Sequence, residues 1–266
     1  MAVRVDDGAA ASRAPESVIV EEPMEIRLDD QLVATTMRTP GHDFELAVGF
    51  CHGDGLLVDA AGAPVAVETV RYCATGTAVE TGFNVVSVST GGRAVMPVAR
   101  LGLVGSSCGL CGSTSIDALT DRLSPLAPPV AVSSALLAGI GERARVGQEL
   151  FEVTGGVHGA ASFDLETGEV GVSREDIGRH NAVDKVVGRM VLDGAIPAAG
   201  RGLWVSGRAS FELVVKAWSA GFAALVSVSA PSSLAVETAE AAGLVLVGFA
   251  RDGRITVYCG ADSVAG

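Results

Sequence analysis

The last third of the chain alternates short apolar runs with amphipathic ones, and this alternation constrains the fold more than any other feature. Gly202–Val205 reads as a short buried strand and Ser210–Ala220 as a helix with Phe211, Val214, Val215 and Trp218 on one face. Ala224–Val228 is then a strand, Ser232–Ala242 a helix and Leu244–Phe249 a strand. Strands separated by helices of this length require right-handed crossovers and a parallel sheet. Arg254–Tyr258 follows the tight turn Asp252-Gly253 and so returns antiparallel. Hydrophobic residues make up 48% of the 266 and aromatics only 5%, so the core is built of Ala, Val and Leu, as suits a compact α/β protein.

Upstream the texture differs. Residues 1–16 are rich in Ala, Asp, Gly and Ser and are expected to be disordered. Ser17–Met37 alternates around a turn at Asp29-Asp30 and reads as a β-hairpin. Thr39-Pro40-Gly41 opens a helix carrying Phe44, Ala47, Val48 and Cys51 at helical spacing, which Gly53–Gly55 ends. Val65–Arg71, Ala78–Glu80 and Asn84–Val88 read as short strands, completing a small β-rich unit over 17–105. A cysteine loop and Pro-rich spacer occupy 106–129, and an α/β domain 130–266. In that domain Ser133–Val146 reads as a helix. Phe151–Val153 leads into Thr154-Gly155-Gly156-Val157-His158. Ala161–Phe163 and Val170–Val172 pair around Glu166-Thr167-Gly168, and Asp176–Leu192 is an amphipathic helix.

Nineteen basic against 31 acidic residues give a net charge of −12, a field that repels nucleic acid and anionic membrane. The start lacks the apolar core of a signal peptide, and no apolar run reaches the roughly 18 residues that span a bilayer. A soluble, cytoplasmic protein is expected. Five cysteines, an odd number, do not suggest a disulfide framework.

Two of them, Cys108 and Cys111, sit three apart, each followed by glycine and flanked by serines. Such a segment reads as a mobile loop, and loops on rigid scaffolds often carry chemistry. A Cys-x-x-Cys pair can bind metal, exchange disulfides or carry sulfur. Structural zinc commonly wants two close ligand pairs, and no second pair exists here. A deaminase-type zinc site wants a glutamate two residues after its histidine, but Gly159 and Ala160 follow His158. A thioredoxin-like dithiol starts a helix directly after a strand, which the flanking glycines disfavour.

Ligands of open α/β sheets bind beyond the carboxyl ends of the strands. Three such ends are legible: Ser206-Gly207-Arg208, Ser229-Ala230-Pro231-Ser232-Ser233 and Gly248-Phe249-Ala250-Arg251. They combine small residues, hydroxyls, helix starts and guanidinium groups, a set suited to a phosphorylated or nucleotide-bearing ligand. The bland alternative is that Ser206, Ser210 and Ser232 cap helices. His158 follows two glycines that let a ligand approach. Arg174–Asn181 is a second dense polar stretch. Its sharper reading places Arg179, His180 and Asn181 at a site, with Asp184 and Lys185 a turn later; its bland reading is a helix start with solvated charges.

Cys108–Gly112, Thr154–His158, Arg174–Lys185, Ser206–Ser210, Ser229–Ala235 and Gly248–Arg251 together resemble the FdhD sulfur carriers, accessory proteins of formate dehydrogenase. The match runs in order from about Ser17 to Tyr258. The resemblance implies a cytidine-deaminase-like three-layer α/β core without zinc chemistry, a smaller β-rich N-terminal subdomain, and a homodimer. It implies that Cys108 and Cys111 take persulfide sulfur from a cysteine desulfurase. The sulfur would pass to the molybdenum bis(molybdopterin guanine dinucleotide) cofactor before insertion into apo-formate dehydrogenase. Resemblance and strand-end logic assign the cofactor to Phe249, Ala250, Arg251, Asp252, Gly253 and Arg254, with Ser206, Gly207, Arg208, Ser229, Ser232, His158 and His180 around them. Rival readings are a cofactor-binding chaperone with structural thiols and a deaminase-like hydrolase.

Overall fold

A computed structural model describes residues 2–5, 12–73, 79, 82–95, 103–104, 123–127 and 131–266. The loop bearing Cys108 and Cys111 lies outside these residues, as do 78 and 80 of an expected strand. Within the segment expected to lack structure, β1 (Ala2–Arg4) pairs antiparallel with β2 (Ser12–Ala14). Next, β3 (Glu22–Leu28) and β4 (Gln31–Arg38) form the expected hairpin. Its turn residues Asp29 and Asp30 have φ of 45° and 66°, the left-handed geometry that short polar side chains tolerate. Helix α1 (Asp43–Gly53) precedes β5 (Thr69–Tyr72), β6 (Val85–Ser89) and β7 (Leu103–Val104). The five strands order as β5-β6-β3-β4-β7.

The α/β domain opens with β8 (Val132–Ser133) and α2 (Ser134–Arg145), whose first turn is capped by the Ser133 hydroxyl accepting from the Leu136 N–H. A short helix, α3 (Glu149–Thr154), occupies the stretch read only as a lead into the glycines. Then come β9 (His158–Asp164) and β10 (Val170–Asp176), both longer than expected, and α4 (Arg179–Leu192). Asp176 ends β10 instead of opening α4. The remainder runs β11 (Arg201–Val205), α5 (Phe211–Ser219), β12 (Ala224–Ser227), α6 (Ser233–Ala242), β13 (Val245–Arg251), β14 (Arg254–Cys259) and β15 (Val264–Ala265).

Six strands form one sheet in the order β10-β9-β11-β12-β13-β14. The expected parallel pairing holds for β11, β12 and β13, while β9, β10 and β14 run antiparallel at the flanks. Period two divides the strand side chains between two cores. Leu203, Leu225 and Leu246 join the apolar faces of α4, α5 and α6. Trp204, Val226 and Val247 join Leu137, Ile140 and Ala144 of α2. The result is a three-layer mixed α/β domain.

Helix α1 is clamped between the N-terminal sheet and α4, and nine of its 11 residues are buried. Gly49 and Gly188 make this crossing close. A Cβ on Gly188 would overlap the Glu45 carbonyl, and one on Gly49 the Asp184 carbonyl. Among the described residues no helix is long and apolar enough to cross a membrane.

Candidate functional site

The three parallel strand ends are stitched into one rim. The Ser229 N–H donates to the Gly207 carbonyl (3.4 Å) and the Phe249 N–H to the Ser229 carbonyl (3.3 Å). His158 joins from β9. The Gly159 N–H donates to Ser206 Oγ at 2.9 Å, and Ser206 Oγ lies 3.4 Å from His158 Nδ1. Gly207 packs close to the His158 ring, where a Cβ would sit in ordinary van der Waals contact at 3.4 Å. Ser206 is thus a rim residue and not a helix cap. Ser232 does cap α6, accepting from the Ala235 N–H at 3.2 Å. Ser210 stands at the start of α5, but its hydroxyl lies 3.2 Å from His180 Nε2 instead of capping. His180 Nε2 also lies 3.0 Å from Glu212 Oε2.

The Phe249–Arg254 segment forms the far side of the rim. A bulge in β13 leaves Phe249 at φ 51° and partly exposed. Asp252 and Gly253, at φ 53° and 69°, make the hairpin turn, and Arg251, Asp252, Gly253 and Arg254 all face solvent. Ala250 is the exception, a core residue packed with Trp204 and Ile140 in the α2 layer. Gly248 admits no side chain, because a Cβ would meet Tyr258, Pro231 and the Ser229 carbonyl at 2.9–3.1 Å.

A cavity of about 400 Å³ opens at this end of the sheet, with His158, Ser206 and Val228 in its wall. Gln148, Trp204 and Phe151 also line it, and the sequence reading missed all three. Gln148 sits alone between two helices and follows no pattern. Trp204 reads simply as core, although an indole N–H in an apolar strand asks for a partner. Among the described residues, Gln148 Nε2, Trp204 Nε1 and Arg179 Nε are the buried side-chain polar atoms with no partner in the protein. The other tryptophan, Trp218, donates to the Ser124 carbonyl at 2.8 Å. Leaving a buried donor unmet costs about 1–3 kcal/mol, so three together mark a place built to meet something else. Burial first, then the charges of Arg179, His180 and Arg208, push the His158 imidazole below its ordinary pKa, and it is neutral at pH 7. A larger cavity of about 710 Å³ lies near the other ends of these strands. Its wall is largely apolar and includes none of the unmet donors.

The Arg174–Lys185 motif divides between two jobs, and the sharper reading of Asn181, Asp184 and Lys185 is corrected. All three are buried and committed to structure. Lys185 Nζ reaches Asp176 Oδ2 (2.8 Å) and the carbonyls of Thr39 (2.9 Å) and Glu175 (3.1 Å). The Asn181 amide donates to the Met37 carbonyl (2.8 Å) and to Asp176 Oδ1 (3.0 Å). Asp184 accepts from Lys216 Nζ at 2.6 Å, and Arg174 donates to Glu45 at 2.8 Å. The Glu175 carboxylate caps α3, accepting from the Leu150 and Phe151 N–H groups at 2.8 Å each. The bonds of Lys185 to Thr39, Asn181 to Met37 and Arg174 to Glu45 join the α/β domain to the N-terminal unit, and the others brace the α/β domain itself; only Arg179 and His180 turn to the rim.

Of the thiols, Cys51 is fully buried and burial pushes its pKa up, while burial and Glu240 raise Cys259. Neither is an activated nucleophile. Among the described residues no group of three or more His, Cys, Asp or Glu side chains could hold a metal ion.

Fold and site together define an open-sheet α/β protein whose strand ends form one polar, partly cationic rim around a donor-lined cavity. The FdhD/NarQ family model matches residues 19–265, and the chain belongs to that family. The sulfur carrier protein FdhD of Streptomyces coelicolor is 47% identical over 270 residues, covering 99% of this chain and 94% of that protein. Its counterpart from Streptomyces avermitilis is 46% identical over the same length. A crystal structure of a formate dehydrogenase accessory protein from Desulfotalea psychrophila superposes with a TM-score of 0.78 at 25% identity, covering 99% of this chain and 97% of that one.

Proposed function

We propose that this protein is a sulfur carrier serving a formate dehydrogenase. It accepts persulfide sulfur from a cysteine desulfurase and passes it to the molybdenum bis(molybdopterin guanine dinucleotide) cofactor, bound as a client. The near full-length identity to proteins named sulfur carriers supports this most strongly, together with the Cys108/Cys111 pair in the sequence. The Cys108 thiolate attacks the terminal sulfur of the desulfurase persulfide. A Cys108 persulfide forms and the desulfurase thiolate leaves. Cys111 then attacks the inner sulfur of Cys108, releasing the outer sulfur as hydrosulfide for the metal and closing a Cys108–Cys111 disulfide. The two electrons come from the thiol pair, and an external dithiol restores it before the next cycle.

The rim supports the client assignment. Ser206, Gly207, Arg208, Ser229, Ser232 and Phe249–Arg254 supply small residues, hydroxyls and exposed guanidinium groups, with His158 and His180 behind them. Ala250 contributes through its backbone alone, since its side chain is core. The cytidine-deaminase-like description of the core, a homodimer and a cytoplasmic location belong to the same reading.

Intact-mass measurement after incubation with a desulfurase and cysteine tests the proposal. The wild type should gain one sulfur atom and Cys108→Ala none, with formate dehydrogenase activation lost. A cofactor chaperone with structural thiols predicts no adduct on either protein. An adduct retained in Cys108→Ala, with activation intact, would sink the assignment of Cys108.

A further inference from the structure

The rim is rich in donors and cations, yet a sheltered carboxylate stands among them. Arg179 lies beside Gly207 and His158, and Arg208 follows in the chain. The adjoining cavity wall carries the unmet N–H groups of Trp204 and of Gln148, whose Nε2 a Cβ on Gly159 would overlap. Such a place attracts negative charge. Glu212 has the opposite effect. It belongs to the first turn of α5, its side chain is 20% exposed, and it ends 3.0 Å from His180 Nε2. Asp252 in the hairpin turn faces solvent, which screens it, and Asp176 behind His158 is paired with Lys185. One turn deeper, Asp184 of α4 meets Lys216 of α5 at 2.6 Å. The facing charges thus alternate along the two helices, His180 opposite Glu212 and then Asp184 opposite Lys216. The inner pair is buried, and the outer pair stands where a ligand on the rim can reach it.

A carboxylate in a first helical turn complements the free N–H groups there, but that role does not require it to reach His180. A nucleophilic triad does not fit either. Ser210 Oγ lies 3.2 Å from the same Nε2, whereas a triad holds hydroxyl and carboxylate on opposite ring nitrogens. Two acceptors share one ring nitrogen, and only one of them is charged. We propose that Glu212 competes with the anionic part of the client for His180, and so limits how tightly the rim holds it. The inference rests on the cofactor reading above, because it concerns release of that client. An anion seated on the rim takes His180 from Glu212, and Glu212 retakes the ring as the client leaves. Without this carboxylate the rim would bind more tightly and release more slowly.

Calorimetric titration of the full chain with inorganic pyrophosphate at about pH 6 and about pH 8 tests the inference. At pH 6 Glu212→Gln should bind about threefold to tenfold more tightly than the wild type. At pH 8 the gain should shrink, because an imidazole that has lost its carboxylate is costly to charge there. Comparing proteins at one pH cancels the titration of pyrophosphate itself. Glu212→Asp keeps the charge and should stay near the wild type. Ser210→Ala removes the neutral acceptor from the same nitrogen and should leave the affinity unchanged. Glu212→Ala serves if Glu212→Gln fails to fold. Equal or weaker binding by Glu212→Gln at pH 6 overturns the competition and leaves the cofactor reading intact. An equal gain in Ser210→Ala also overturns it, since loosening His180 and not removing a charge would then be the cause. Binding by none of the proteins overturns the competition and the cofactor reading together.

Discussion

The joint between the two units and the rim of the sheet draw on one polar motif, Arg174–Lys185, yet they are opposites. In the joint, Asp176 and Lys185 are 0% and 1% exposed, and every bond they can make is made within the protein. At the rim, Arg179 of the same motif keeps an unmet Nε, and Gln148 and Trp204 join it. Density of charge and hydrogen-bonding groups is common to both regions. What separates them is bonding capacity left over. A buried polar group that is fully paired holds the fold, and one that is unpaired points to a ligand.

The sharpest way to break this comparison is to treat a joint residue as dispensable. Lys185→Met strands the Asp176 carboxylate in a dry site, and the loss of unfolding free energy should be about 3–5 kcal/mol. Adding Asp176→Asn should recover part of it. Arg254→Ala on the exposed rim should stay within about 0.5 kcal/mol. Urea melts of the four proteins measure all three effects. A cost below about 1 kcal/mol for Lys185→Met would show that the joint is not what holds the units together. Gly188→Ala tests the same seam by shape. Its Cβ meets the backbone of Glu45, which cannot swing aside, so about 1–3 kcal/mol should be lost as α1 and α4 separate.

The sequence carries the scaffold more plainly than the site. The parallel trio is legible because Leu203, Leu225 and Leu246 point one way and Trp204, Val226 and Val247 the other, at period two, with helices of crossover length between. Helix α3 is illegible, because none of its residues is buried and Glu175 caps it from β10, a contact distant in sequence. Ser206 and Ser229 are legible as strand ends, and His158 by the two glycines before it. Gln148 is not, because its meaning depends on Gly159 standing opposite in space. Asn181 and Lys185 misled because a residue list does not show where bonds are spent. The thiol pair is legible from spacing alone, and Cys108 and Cys111 lie outside the described residues.

Two smaller effects sharpen the comparison from the rim. Gly159→Ala resembles Gly188→Ala in the closeness of the contact it would make, but the obstructing atom is the far end of a flexible side chain. Its stability cost should therefore fall below that of Gly188→Ala, a ranking that urea melts of the two variants check.

The smallest effect is protonation of His158. Its pKa in the folded protein lies below the ordinary 6.5, chiefly through burial. Between the folded value and 6.5 the unfolded chain binds more protons than the folded one. Stability contributed by the neutral ring is therefore present above 6.5 and lost as pH falls through the folded pKa. His42, lowered by burial and by Arg174, adds a contribution of the same sign at the joint. Melts at about pH 7.5 and about pH 5.5 should show a loss on acidification that His158→Gln reduces but does not abolish. An anion seated on the rim favours the charged imidazole and should raise its pKa again. Pyrophosphate should therefore shrink the acid loss in the wild type and leave the residual loss in His158→Gln, which belongs to the joint, unchanged.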